Sequence, residues 1–339
     1  MPYRSPPFDG GTETRSGKEG TVDYRVMGLV AVLLVACGGG DGDGDGKDGK
    51  KKGDGDGDKG RVEKTTALTA NGGAQVCRAE GASRPLPEEV HEASGAAPSL
   101  THAGIFWTHN DSGDPAVYAI DANGALAGRV TVAGATVTDW EDIAAAPCQG
   151  GNCLYIADIG DNQAARPSVT VWRVPEPAPG DGTTRPAQAI ELRYPEGAQD
   201  AEAMFVLNGA IHIVSKGETG PIALYRAPAG AAPGQPAQLE RVRELATDEQ
   251  KRSDRITGAS ASPDGRWIVV RTLKSASFYP AAEFTGASGG TAREMDLSGL
   301  EEAQGEGIGF ASNSAVILTS EGGKKKDPAT FARLECTLQ

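Results

Sequence analysis

Five residues with oxygen-bearing side chains, Ser94, Glu141, Glu202, Thr257 and Glu306, recur near the start of short runs of small residues. Each run leads through a tight turn into a strand-like stretch: Glu92-Ala93-Ser94-Gly95 into Ile105-Phe106-Trp107-Thr108, Asp139-Trp140-Glu141-Asp142-Ile143 into Leu154-Tyr155-Ile156-Ala157, and Asp200-Ala201-Glu202-Ala203-Met204 into Ile211-His212-Ile213-Val214. The last two are Ile256-Thr257-Gly258-Ala259-Ser260 into Trp267-Ile268-Val269-Val270 and Gly305-Glu306-Gly307-Ile308 into Ala315-Val316-Ile317-Leu318. Carboxylates and hydroxyls are hard donors, and an irregular ring of them suits Ca²⁺ better than Mg²⁺. Three carboxylates about 5 Å apart would repel by roughly 3 kcal/mol per pair at an effective dielectric near 20. That sum is comparable with the whole stability of a domain. A bound cation relieves it and leaves the ligands charged. The alternative is that these acids face water or pair with Arg255 and Arg271.

Bringing five such residues together requires a ring. Strand signals of even spacing, separated by turn residues, fit an all-β propeller. Four strands per blade, the innermost first, give blade one as 91–99, 103–109, 116–121 and 125–132, and blade two as 139–146, 153–160, 168–174 and 188–194. Blade three takes 200–207, 210–217, 222–227 and 238–245; blade four takes 256–262, 267–273, 276–281 and 291–297. Blade five has only 305–311, 314–320 and 329–336. Its missing strand is expected from Ala74–Arg78, which closes the five-bladed propeller by pairing with Arg333–Cys336.

In such a ring the second strand of each blade ends on the face where the innermost strand begins. That face, the top, collects the loops with His109, Asn110, Asp111, Asp158, Asp161, Lys216, Arg271 and Glu321. With a cation held below, Lys216 and Arg271 could hold phosphate, and Asp111, Asp158 or Asp161 could activate water without a protein nucleophile. His109, Asn110 and Glu321 complete the expected ligand-binding set. The bottom receives the Cys148–Cys153 hairpin and two Pro/Gly-rich stretches, 175–186 and 228–236, read as plain connectors. Trp107, Trp172 and Trp267 are expected between blades, and Trp140 beside the upper channel.

The 339 residues carry a net charge of -13, which argues against nucleic acid, whose backbone needs a basic face. Lys324-Lys325-Lys326 is short and isolated, and reads as a solvated turn. Val26–Ala36 is an apolar run of signal-peptide length ending in Leu34-Val35-Ala36-Cys37. From Gly38 to Gly60 the chain is nearly pure Gly, Asp and Lys, a composition that cannot bury enough apolar surface to order itself. The expected domains are therefore a leader over 1–37, a tether over 38–61 and the propeller over 62–339.

The run ending at Cys37 resembles the bacterial lipoprotein lipobox. That resemblance implies acylation of Cys37, a membrane lipid anchor and a place in the bacterial cell envelope. Four cysteines then remain in an oxidising compartment, with three possible connectivities. Cys148 and Cys153 flank a hairpin and are expected to join each other, leaving Cys77 to join Cys336 across the ring closure.

The acid and hydroxyl ring, together with Trp107-Thr108-His109-Asn110-Asp111-Ser112-Gly113 leading into Val117-Tyr118-Ala119-Ile120, is similar to calcium-activated apyrase propellers and, more loosely, to phytase-like secreted propellers. The apyrase resemblance implies calcium held by Ser94, Glu141, Glu202, Thr257 and Glu306, with phosphate esters or nucleotides hydrolysed on the top face. Two other functions stay open: a non-enzymatic module binding a small anionic ligand or a partner protein, and a glycosidase using two carboxylates among Asp139, Asp158 and Asp200. With aromatics at 5%, a sugar-stacking platform is poorly supplied.

Overall fold

The computed structural model describes residues 76–287, 289–323 and 327–338. The expected leader with Cys37, the tether over 38–61, the start of the propeller domain and the Lys324–Lys326 turn lie outside the described residues. Among those described, no helix is long and apolar enough to cross a membrane.

Five sheets, antiparallel but for a short edge strand in two of them, form five blades. The innermost strands are Ala97–Pro98, Trp140–Cys148, Ala201–Leu207, Ile256–Ala261 and Gln304–Ser312. Each pairs with the next strand of its own blade, and each blade is a meander running outward. Blade five holds Gln304–Ser312, Ala315–Glu321 and Thr330–Cys336, and is completed by the N-terminal Cys77–Ala79. The register there pairs Cys77 with Cys336 and Arg78 with Glu335, and the Cys77–Cys336 disulfide joins positions 259 residues apart. The second disulfide closes the Cys148–Cys153 hairpin. Blade count, closure and both disulfides follow the sequence pattern.

The apolar residues partition into five clusters, one for each junction between neighbouring blades. Trp107, Ile143 and Leu154 belong to the cluster between blades one and two, and Tyr155, Leu192, Met204 and Ile213 to that between two and three. Phe205 packs near Phe284 between three and four, Phe278 near Phe310 between four and five, and Phe106 near Phe331 where the ring closes. Alternating side chains serve the two faces of each blade, so both faces are apolar near the hub. The outermost strand of blade three, Glu240–Ala246, has no buried residue, as an edge facing water should.

Of the two stretches read as plain connectors, 175–186 differs from expectation, while 228–236 holds no strand and leads into a short one just beyond it. Gly182–Thr183 adds a parallel edge strand to blade one, and Ala237–Gln238 adds one to blade two. Each short strand follows the third strand of one blade and pairs with the blade before it, so it latches neighbouring sheets. Proline-rich composition hides this, because two paired residues leave no alternation to read.

Trp140 does not border the upper channel. It is fully buried, with its indole N–H donated to the Thr136 carbonyl and its ring edge-on to His109.

Candidate functional site

Near the top of every innermost strand the pairing register shifts by one residue. The shifts fall between Trp140 and Asp142, Ala201 and Ala203, Ile256 and Gly258, and Gly305 and Ile308. In blade one the same shift separates the Ala93 to Asn110 bridge from the Ala97 to Trp107 pair. Such a bulge leaves an extra residue out of the ladder and re-aims its side chain. Glu141, Glu202 and Thr257 are those extra residues, with Glu306 and Ser94 inside the shifted segments of their blades. Five bulges at one level turn the channel mouth into the place where blades meet through polar atoms.

The two hydroxyls bond backbone. Ser94 Oγ donates to the Glu141 carbonyl at 2.7 Å, and Thr257 Oγ1 to the Gly305 and Glu306 carbonyls at 3.1 Å. Each therefore links its blade to another. The three glutamates are nearly closed off from water, at 8%, 9% and 6% exposure for Glu141, Glu202 and Glu306. Burial and then the charges of Glu202, Asp139 and Glu306 raise the Glu141 carboxyl well above its ordinary range. Burial and the neighbouring acids Glu202 and Glu321 do the same to Glu306. Glu202 is pushed up to about 7, since burial outweighs the attraction of Lys216.

Asp139 and Asp200 stand beside them. Gly160 has no side chain where one would collide with the Glu141 and Asp139 carboxylates, so glycine is required there for these acids to approach. The Asp139 carboxylate also accepts from Asn162 Nδ2 at 3.2 Å.

Among these acids stands Lys216. Its Nζ is 2.5 Å from Glu202 Oε1, 3.3 Å from Glu218 Oε2 and 3.5 Å from Asp200 Oδ2, and it donates to Asn162 Oδ1 at 3.1 Å. Burial disfavours its charge, but the attraction of Glu202, Asp200 and Glu141 exceeds that cost and holds it protonated. Lys216 was expected to offer its charge to a phosphate; the structure commits it to carboxylates instead.

Other expected residues also do something different. Arg271 is wholly buried, ion-paired with Glu302 and donating to the Gly307 and Thr319 carbonyls, so it braces blade four against blade five. Asp158 pairs with Arg166 at 2.9 Å and accepts the Thr138 and Asp139 amides. Asp161 accepts the Ala165 and Arg166 amides and shapes its own loop. Both are buried with their oxygens engaged, which removes them as bases for attacking water. His109 is buried and neutral, its desolvated imidazole depressed to about 4. Asn110 is a brace, donating to the Glu89 carbonyl and accepting the Glu92 amide.

Asp111 keeps chemical capacity. Burial and a shared hydrogen bond with Glu92 raise its carboxyl to about 7, and Glu321, itself raised by burial and by Glu92, adds to the effect. Two further cations border the mouth that sequence reasoning did not assign to a ligand. Arg252 donates to Gln304 Oε1 at 2.8 Å, and Arg255 pairs with Glu218 at 2.6 Å. With Glu202, Lys216, Thr257 and Glu306 they line a cavity of about 240 Å³. Its floor is acidic and its rim basic.

The donor set fits a hard cation: all oxygen, and more carboxylates than the one ammonium among them neutralises. In the arrangement described, no three His, Cys, Asp or Glu side chains among the described residues gather around a point as metal ligands. The charge standing between them is that of Lys216.

No protein-family model matches the chain, and no curated protein matches it in sequence. Among solved structures it is similar to a PQQ-bound aldose sugar dehydrogenase from Streptomyces coelicolor, at 10% identity and TM-score 0.47, over 75% of this chain and 97% of that one. It is also similar to a glucose dehydrogenase, at 9% identity and TM-score 0.44, over 76% and 99%. A putative TolB from Agrobacterium tumefaciens gives 13% identity and TM-score 0.38, over 69% and 72%. At these values the likenesses say nothing of activity, and the blade count rests on the five sheets themselves.

Proposed function

We propose that this chain is an exported, lipid-anchored propeller whose channel mouth binds Ca²⁺ and, beside it, a phosphate-bearing ligand. The observation that carries the reading is the convergence of Glu141, Glu202, Glu306, Asp139 and Asp200 at one level of the ring, against a single lysine in their midst. Glu141, Glu306 and Glu202 would hold the cation, which when bound supplies positive charge to a phosphoryl oxygen. Arg252 on the rim would orient the anion. Asp111, with a carboxyl that changes protonation near neutral pH, is the group able to move a proton if the ligand is hydrolysed. The two disulfides support an oxidising compartment, as the lipobox-like run ending at Cys37 does.

Calorimetric titration of the purified protein with Ca²⁺ tests the reading, with Glu306→Gln and Gly160→Ala expected to weaken binding and Arg252→Ala expected to leave it intact. Phosphate esters, nucleoside triphosphates and arabino-oligosaccharides are then assayed with calcium and with chelator. No heat of binding at millimolar calcium, together with a melting temperature indifferent to chelator, would overturn the proposal.

A further inference from the structure

Resting on that reading of the mouth, we propose that Lys216 is a tethered counter-ion that competes with the divalent cation for the same carboxylates. It follows the second strand of blade three, and its amide donates to the Asp200 carbonyl at 3.0 Å while its own carbonyl accepts the Ile256 amide of blade four at 3.0 Å. The backbone is thus pinned on both sides and only the side chain has freedom to move. That side chain is 12% exposed and reaches Glu202, Asp200, Glu218 and the Asn162 amide oxygen together.

A lysine so placed has two consequences. It supplies one positive charge without a solution ion, so the ring remains folded in the absence of metal. It also draws Glu202, one of the carboxylates that would hold the cation, toward its own Nζ, together with the neighbouring Asp200. A cation of higher charge outcompetes it only by displacing it from Glu202 and Asp200 toward the cavity, where Glu218, partly exposed and also paired with Arg255, keeps the contact it already makes with Nζ. Lys216 thereby sets a threshold of calcium below which the mouth stays closed to the ion. An arginine or lysine of the rim would not act so: Arg252 bonds Gln304 and Arg255 bonds Glu218, neither touching the central glutamates.

The experiment uses the full chain and CaCl₂ alone. Lys216→Met keeps the length and apolar stem of the side chain and removes the charge; Lys216→Arg keeps the charge. Lys216→Met should bind calcium at least about tenfold more tightly than wild type, the factor corresponding to ~1.4 kcal/mol, and calcium should raise its melting temperature further than it raises the wild type's. Lys216→Arg should do neither. If the Met variant does not fold, the wild type alone decides the matter: acylation of Lys216 by an amine-reactive ester, read by peptide mass spectrometry, should accelerate several-fold when calcium is added, while other lysines keep their rates. Wild-type calcium binding with unchanged Lys216 acylation, or with equal affinity in the Met variant, overturns the counter-ion proposal and leaves the calcium site standing. Calcium binding by Lys216→Met alone supports the counter-ion and overturns calcium as the wild type's ligand. Absence of binding in every variant overturns both.

Discussion

Asp142 holds the hub together, and its removal should be among the most damaging single changes in this chain. Its carboxylate is fully buried; Oδ1 accepts the Ile143 amide at 2.8 Å, and Oδ2 accepts the Met204 amide at 2.8 Å and the Ala259 amide at 3.2 Å. One side chain thus satisfies N–H groups on the innermost strands of blades two, three and four. Each buried donor left without a partner costs about 1–3 kcal/mol. Asp142→Ala orphans three, or roughly 3–9 kcal/mol, against a typical domain stability of ~5–15 kcal/mol. Asp142→Asn should cost about a third as much, because its carbonyl oxygen can serve Met204 and Ala259 while its NH₂ group faces only the Ile143 donor. Equilibrium unfolding in urea, followed by tryptophan fluorescence, gives the order wild type, Asn, Ala in midpoint. Amide exchange should quicken at Ile143, Met204 and Ala259 in the Ala variant, and at Ile143 in the Asn variant. An Ala variant within about 1 kcal/mol of wild type would refute the reasoning, since the bonds across the hub would then be bystanders.

Three further outcomes follow from the same geometry. In the chain-entropy account, removing the Cys77–Cys336 bond, which spans 259 residues, should cost about 5 kcal/mol, and removing Cys148–Cys153, which spans 5, about 2 kcal/mol; paired Cys→Ala variants compared by denaturant midpoint check the ranking, and equal losses would contradict it. The metal-free protein should lose stability as pH rises from about 4.5 to about 7. The Glu202 and Asp111 carboxyls are raised in the folded state, so it binds more protons than the unfolded chain over that interval. Melting temperatures across the range check this, and Asp111→Asn should flatten part of the slope. Gly160→Ala should lower the melting temperature as well as weaken calcium binding, because a methyl group there displaces Glu141 and Asp139; a variant with wild-type melting and binding would show that the two acids tolerate the shift.

Much of the architecture was legible because it rests on local patterns. Alternation and turn residues marked nearly every blade strand, and the leftover strand near Cys77 together with an odd blade at the C-terminus required closure, which the Cys77 and Cys336 register delivers. The five oxygen-bearing residues were found for the same reason, since each recurs at one phase of the repeat. What could not be read was the difference between a polar residue that faces the ligand and one consumed by the fold. Arg271, Asp158 and Asp161 have the right types at or just past the ends of second strands, yet each satisfies buried backbone groups or a buried partner, in the case of Arg271 on strands distant in sequence. Asp142 adjoins Glu141, and alternation alone would put the two on opposite faces of a strand. The bulge between Trp140 and Asp142 cancels that alternation, sending Glu141 to the mouth and Asp142 across the hub to Met204 and Ala259. A bulge in one strand shows no signature in a single repeat. Five shifts at one level show why small residues accompany the acids: Gly95 and Gly307 lie where any side chain would strike a neighbouring inner strand, so the hub is narrow enough for the charge of Glu141 on blade two to add to that of the blade-three acids around Lys216. The width that makes their charges costly is therefore the width that lets Lys216, or a metal in its place, answer several of them at once.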